Sequence, residues 1–261
     1  MSRQDRIQIA IPSYRRADIL ASRTLPMLFA GGCPPDRVTV FVGTEDEADE
    51  YRQALPKELY GEVRVTGQSG ALAGQRNAIA RSYPVGTRLV QVDDDVKDVL
   101  GRINDKRLEP MAELWPFLRT AFDRAALAKC FMWGVYPTAN AGFMKPRARV
   151  GLAFIIGTLF GTIVRNDPCE LVRLKWKEDY ERSIRFYIKD SKVLRFEDVA
   201  LRTSYNNTRG GTEGVRKPEE VAEAVAEMQR KWPHLVHLNP RRKSDLPEIT
   251  LRDDRPKSKR T

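Results

Sequence analysis

Arg88-Leu89-Val90-Gln91-Val92-Asp93-Asp94-Asp95 is the stretch from which the fold of this 261-residue chain can be read. Val90 and Val92 alternate with Gln91 as in a short β-strand, so three carboxylates fall where that strand ends. In an open α/β sheet, ligands gather beyond the carboxyl ends of the strands, and hard cations such as Mg²⁺ or Mn²⁺ take oxygen ligands. A cation held there can bridge nucleotide phosphates and stabilise charge on a departing diphosphate. An isolated Asp-Asp-Asp is more often a solvated acidic turn. The surrounding hundred residues favour the first reading.

Upstream, Ile7, Ile9 and Ile11 alternate with polar or small residues and predict a first strand ending at Pro12-Ser13-Tyr14-Arg15. Helices are expected over Asp18 to Leu28, Glu45 to Leu55 and Leu72 to Ser82, with strands over Val38 to Val42 and Val63 to Val65. Strands alternating with helices at this spacing imply parallel βαβ units, so residues 1–100 read as a nucleotide-binding α/β half. Downstream, a packing helix is expected from Pro110 to about Lys129, then strands over Phe131 to Tyr136, Ala153 to Val164 (bent near Gly157 or Gly161) and Val193 to Leu201. Trp176, Tyr180, Ile184 and Ile188, spaced by four, predict a helix that carries Glu178 and Asp179 in its first turn. Pro218 to Trp232 reads as a further helix. The expected organisation is one domain over 1–240, in halves 1–100 and 101–240, with a basic tail over 241–261.

The formal net charge of +10 points either to a polyanionic partner or to solubility alone. Cys33, Cys130 and Cys169 are odd in number and lack a Cys-x-x-Cys pair, which argues against a disulfide framework or thiolate zinc site. The apolar run Leu152 to Val164 is shorter than the roughly 20 residues of a membrane span and is interrupted by glycine. With no signal-like stretch at Met1 to Arg6, the expectation is a soluble cytoplasmic protein (in the host cell if phage-encoded) with no membrane partner. Gly67, Gly70 and Gly74 allow close backbone approach but do not form the dinucleotide fingerprint, and no Walker A lysine motif occurs.

Pro12 to Arg15, the pair Arg76-Asn77, Asp93 to Asp95 and Glu178-Asp179 occur in an order and spacing that resemble the GT-A nucleotide-sugar glycosyltransferases, over roughly residues 6 to 190. The resemblance implies a GT-A-like, Rossmann-type, mostly parallel sheet flanked by helices, with a mixed acceptor-side half. In that fold the Pro-Ser-Tyr-like turn lies beside the nucleotide base, the Arg-Asn pair follows, and a later acidic pair faces the acceptor. A narrower likeness, carried by Phe154 to Gly161, Lys177 to Glu181, Gly210-Gly211 and Pro233 to Lys243, is to phage DNA-modifying glycosyltransferases related to the base J glucosyltransferase and associated with TET-type hydroxylases. It implies transfer from a nucleotide sugar, UDP-glucose or a relative, to a hydroxymethylated pyrimidine in DNA.

Residue types then suggest roles. Asp95 is expected to coordinate Mn²⁺ or Mg²⁺, with Asp93 on the same side of the chain binding the cation or sugar hydroxyls, and Asp94 on the other side. Pro12, Ser13, Tyr14, Arg15, Arg76, Asn77, Asp94 and Gly157 are expected around the nucleotide sugar. Tyr14 is suited to stack on a uracil ring, and Arg76 and Asn77 to hydrogen-bond base or phosphate. Asp179 is the candidate general base, supported by Glu178; acidic residues at a helix start also simply favour the macrodipole. The Asn206 to Gly214 loop, with Arg209, Gly210 and Gly211, is a candidate lid over the diphosphate. His234 or His237 is a candidate late metal ligand, though surface or packing roles are commoner. Basic residues at Lys145, Arg147, Arg149, Arg173, Lys175, Lys177, Arg241 to Lys243, Arg255, Lys257, Lys259 and Arg260 fit a polyanionic acceptor. A carbohydrate or other small acceptor, and a non-catalytic nucleic-acid-binding module, are the competing readings.

Overall fold

The computed structural model describes residues 7–70, 72–203, 217–239 and 246–256. Its first half is built from β1 (Ile7–Pro12), α1 (Ala17–Ser22), α2 (Thr24–Ala30), β2 (Val38–Val42), α3 (Glu45–Ala54), β3 (Glu62–Val65), α4 (Leu72–Arg81) and β4 (Arg88–Val92). β2 is Val-Thr-Val-Phe-Val, buried at every position, as a strand covered on both faces requires. Thr44 accepts from the Glu47 backbone while the Glu47 side chain reaches back, a reciprocal cap that starts α3.

The second half adds β5 (Val96–Arg102), β6 (Leu108–Pro110), α5 (Leu114–Leu127), β7 (Met132–Val135), β8 (Ala148–Gly151), β9 (Leu159–Ile163), α6 (Glu178–Asp190), β10 (Val193–Phe196), β11 (Val199–Thr203), α7 (Pro218–Lys231), β12 (Val236–Leu238) and β13 (Ile249–Leu251). One eight-stranded sheet runs in the order β3-β2-β1-β4-β9-β7-β10-β8, and β11-β5-β6 form a second, smaller sheet. Pairing is parallel from β3 through β4 and again between β7 and β10; β9 and β8 are antiparallel to their neighbours. The fold is therefore α/β and GT-A-like, with a mixed, mostly parallel sheet flanked by helices.

Strand order reverses at β1: β2 and β3 lie to one side of it, β4 to the other. That reversal opens a crevice beyond the carboxyl ends of β1 and β4, where chains of this architecture bind ligands. The triplet Asp93 to Asp95 sits at its edge.

Several elements differ from the sequence expectation for identifiable reasons. The helix expected over Asp18 to Leu28 is broken at Arg23, whose backbone lies at φ −131°, ψ −82°. Pro26 lacks the N–H a continuous helix would need, and Thr24 turns inward to donate to the Asp93 carbonyl at 2.8 Å and accept from the Val96 N–H at 3.0 Å. The strand expected over Ala153 to Val164 begins only at Leu159, because side chains take the preceding backbone: Ser183 Oγ accepts from Ile155 N–H at 2.9 Å, and Gly157 carbonyl accepts from Arg76 at 2.8 Å. Val193 to Leu201 divides at Glu197 into strands of two different sheets. Pro110 closes β6 instead of opening a helix. Part of the expected tail is structured, since Ile249 is buried in a cluster with Ile184, Val225, Met228 and Leu235 against α6 and α7.

Trp133 anchors the core beneath the sheet, edge-to-face with Phe117, Phe122 and Phe196 at centroid separations of 5.5–6.1 Å. Its indole lies directly over Gly161, where any Cβ would collide with the ring. Gly161→Ala is expected to cost about 1–3 kcal/mol through overpacking; urea denaturation giving wild-type stability would contradict this packing.

Candidate functional site

Ser13 follows β1 directly and is buried; its hydroxyl donates to Asp94 Oδ2 at 2.6 Å and lies 2.7 Å from Tyr51 Oη. Arg16 adds an ion pair to Asp94 at 3.5 Å and another to Asp95 at 3.6 Å. Asp94 thus faces inward and fastens the end of β4 to the end of β1. Asp93 and Asp95 retain side-chain exposures of 28% and 22% against 8% for Asp94, which is the alternation the strand pattern predicts. Pro12 is buried as the last residue of β1, Tyr14 is half-buried beside Gly70, and Arg15 is exposed over the Tyr14 ring. Arg15 and Gly70 both take left-handed backbone, at φ 53° and 67°, so the Tyr14 wall is shaped by two tight turns.

Arg76 links this crevice to the start of α6. Its guanidinium, on a side chain only 2% exposed, donates to Asp93 Oδ1 at 2.7 Å and to the Gly157 carbonyl at 2.8 Å, and its Nε lies 3.3 Å from Glu178 Oε1. Protein groups take its terminal nitrogen, so Arg76 braces Asp93 and the Gly157 turn against the start of α6, while its Nε makes no hydrogen bond among the described residues. Asn77 is not turned to the crevice: its amide donates to the Val172 carbonyl at 2.8 Å and accepts from the Val172 N–H at 2.9 Å. Gly157 is confined by Glu178, Arg76 and Asp179, whose atoms a Cβ would meet at 3.2–3.5 Å.

At the amino end of α6, Lys177 adopts left-handed backbone at φ 60° and starts the helix without a side-chain cap. Glu178 and Asp179 supply that cap: Glu178 accepts from the Asp179 N–H at 2.7 Å and Asp179 from the Tyr180 N–H at 2.9 Å. The macrodipole role is therefore present in the geometry. Arg182, one turn on and 2% exposed, contacts Glu178 at 3.2 Å, and its second terminal nitrogen has no hydrogen-bond partner among the described residues.

Charge balance sets the proton affinities. Burial opposes the Glu178 anion, but Arg182 and Arg76 more than offset it and hold its pKa below the ordinary value. Asp179 is pushed up to about 7, first by burial and then by the Glu178 charge. Burial raises Asp94 to about 7, and burial with the Asp93 charge raises Asp95 to about 6; Asp93 is raised by burial against the pull of Arg76. Four carboxyl groups, Asp93, Asp94, Asp95 and Glu178, are thus in ion-pair contact with three guanidiniums, those of Arg16, Arg76 and Arg182, while Arg182 acts on Asp179 and Arg23 on Asp95 at longer range. A site left short of positive charge, with oxygen-only donors, suits a hard divalent cation. No group of three or more His, Cys, Asp or Glu side chains forms a preformed metal shell among the described residues. The donor set fits a cation held by one or two carboxylates and completed by the phosphates of a ligand, as Mg²⁺ commonly is.

Other expected participants are accounted for elsewhere. His234 lies 3.0 Å from Asp254 and His237 3.0 Å from the Arg252 carbonyl, so both tie the β12–β13 hairpin together. Lys175 pairs with Glu220 at 2.7 Å, Lys177 with Glu248 at 3.6 Å and Arg255 with Asp253 at 2.8 Å, which spends much of the positive charge expected near the acidic pair. Arg209, Gly210, Gly211, Arg241 to Lys243, Lys257, Lys259 and Arg260 lie outside the described residues. Cys33, Cys130 and Cys169 are buried free thiols. No helix is long and apolar enough to cross a membrane among the described residues. Arg16, Tyr51 and Arg182 were not anticipated. The four-residue spacing of Glu178 and Arg182 on one helix was a usable signal, whereas Arg16 and Tyr51 reach the site only through the folded chain.

No family model matches the chain, and no curated protein matches it. Among solved structures, its fold is similar to that of the mannosyltransferase PcManGT from Pyrobaculum calidifontis in complex with GDP-Man and Mn²⁺, with a TM-score of 0.55 and 14% sequence identity. The match covers 86% of this chain and 64% of that one, so the present chain spans about two thirds of the neighbour's length.

Proposed function

We propose that this chain is a metal-dependent glycosyltransferase that moves a sugar from a nucleotide diphosphate donor, a UDP-sugar, to a hydroxymethylated pyrimidine in DNA. The observation that carries the reading is the carboxyl-rich crevice at the β1/β4 reversal, braced by Arg76 to a second acidic pair at the start of α6. The fold likeness to a glycosyltransferase solved with GDP-Man and Mn²⁺ supports the reaction class. The DNA acceptor rests on the sequence resemblance and on the basic surplus.

In this reading Tyr14 stacks on the nucleobase beside Gly70, and Asp95 and Asp93 would hold Mn²⁺ or Mg²⁺. The bound cation supplies charge compensation for the leaving diphosphate. Asp179 accepts the proton of the acceptor hydroxyl while its oxygen bonds to the anomeric carbon and the bond to the diphosphate breaks, with inversion. Burial, and then the charge of Glu178, which Arg182 and Arg76 keep ionised, hold the Asp179 proton affinity near neutrality.

The test is incubation of the protein with Mn²⁺, a panel of UDP- and GDP-sugars and hydroxymethylated DNA, followed by nucleoside mass spectrometry. A glycosylated nucleoside is expected. Sugar found only on added saccharides would replace the acceptor, and an absence of donor turnover would remove the transferase reading. Donor plus Mn²⁺ at 100 times its dissociation constant should stabilise the wild type by roughly 2.7 kcal/mol. Asp95→Ala is expected to lose most of that stabilisation and all metal-dependent turnover; a full thermal shift in the variant would remove Asp95 from the cation site.

A further inference from the structure

The expected acceptor surface resolves, on the folded chain, to one patch whose charge is left unspent. Following the register across the sheet, Val92 pairs with Leu159, Phe160 with Gly134, Val135 with Phe196 and Phe196 with Ala148. The segment 136–147, which joins β7 to β8, therefore leaves the sheet on the same edge as Asp93 to Asp95. It is met there by the tip of the β5–β6 hairpin, where Arg102 Nε donates to the Ala141 carbonyl at 3.2 Å and the Asp105 carbonyl lies against Gly142.

This surface combines cations with apolar side chains in solvent. Phe143 is 64% exposed and Ile103 55%, one on each of the two touching loops. Lys106, Lys145 and Arg149 are exposed and have no ion-pair partner among the described residues. Glu197 receives both Arg147, at 3.3 Å, and Arg195, at 2.7 Å, so a single carboxylate serves two guanidiniums beside Arg149. Charge on β8 also protects an edge strand from pairing with another chain. That protection does not call for an aromatic ring and an isoleucine held in water on adjoining loops. Spaced cations that meet phosphates, with an aromatic face for bases, are the elements of a surface for unpaired nucleic acid.

From this juxtaposition we infer that the 136–149 segment and the β5–β6 hairpin tip bind an extended, unpaired nucleic-acid strand, with Phe143 stacking on a base and Lys145, Arg149 and Lys106 meeting phosphates. It rests on the proposed transfer to DNA, since a strand seated here runs along the sheet edge that carries the acidic crevice. A base flipped from a duplex leaves its flanking strand unpaired in the same manner.

The experiment is fluorescence anisotropy of a labelled single-stranded oligonucleotide against the full chain at several salt concentrations. Wild-type affinity should fall steeply with salt. Lys145→Glu/Arg149→Glu should reduce the salt slope by about 2 and weaken binding more than tenfold at low salt. Phe143→Ala, an exposed truncation that leaves the core intact, should weaken binding by at least ~5-fold without changing the slope. Stabilisation by UDP plus Mn²⁺ should be the same in all three proteins. The inference is overturned if the variants bind like the wild type, if no oligonucleotide binds, or if phosphatidylserine vesicles bind more tightly than the oligonucleotide at equal ionic strength. Absence of strand binding by the wild type with its donor stabilisation intact sinks this surface alone; absence of donor stabilisation in a wild type that binds the strand as expected sinks the transferase reading alone.

Discussion

Asp179→Asn is expected to slow sugar transfer by about 10²–10⁴-fold while leaving donor binding unchanged. The carboxylate is partly exposed and poised near neutrality, because burial first, and then the charge of a Glu178 held ionised by Arg182 and Arg76, raises Asp179 to about 7. A general base works in its ionised form. Transfer should therefore rise with pH through about 7 and fall tenfold per pH unit on the acid side. Residual activity in Asp179→Asn should be flat over the same range. Because the amide can still accept from the Tyr180 N–H, the variant keeps its helix cap, and thermal unfolding should be close to wild type. Near-normal turnover with a retained acid limb would leave Asp179 only its helix-capping role.

Arg76→Met should destabilise the fold by roughly 3–5 kcal/mol. The methionine keeps the buried stem but removes a guanidinium that touches Asp93, Glu178 and the Gly157 carbonyl at once. The enclosed Glu178 and Gly157 carbonyl and the partly exposed Asp93 would then lose that partner. The sign of the pH dependence follows from Glu178. Its folded pKa is depressed, so its contribution is present above the unfolded value and lost as pH falls through the folded one. Without Arg76 that contribution shrinks, so the gap between wild type and variant should be widest near pH 7 and narrow toward acid. Urea denaturation at pH 7 and pH 4 measures it; equal stability at pH 7 would mean that water or Arg182 replaces the lost brace.

Much of the first half was legible because its signals are local. Alternating isoleucines and valines mark β1, β2 and β4, and the acids at the end of β4 follow from chain order alone. The elements that escaped were short or strongly charged: β5 is Val-Lys-Asp-Val-Leu-Gly-Arg and β8 is Ala-Arg-Val-Gly, patterns that become strands only when a partner supplies their hydrogen bonds. The break at Arg23 has a local sign in Pro26, which cannot donate the N–H of a continuous helix. For the site, residue types mark segments that the fold brings together but not the directions of their side chains. Asp94 and Asn77 look equivalent to their neighbours in sequence, yet one is fastened to Ser13 and the other to Val172.

The chain alone determined that a parallel α/β half ends in three carboxylates and that an acidic pair opens a later amphipathic helix, because strand and helix periodicity and residue chemistry are properties of neighbouring positions. Only the tertiary structure decided that strand order reverses beside those carboxylates, that one buried arginine joins them to the acidic pair, and that too few guanidiniums serve too many acids. Those facts depend on which distant segments share a low-dielectric interior, where an unmatched charge is costly and proton affinities shift to meet it.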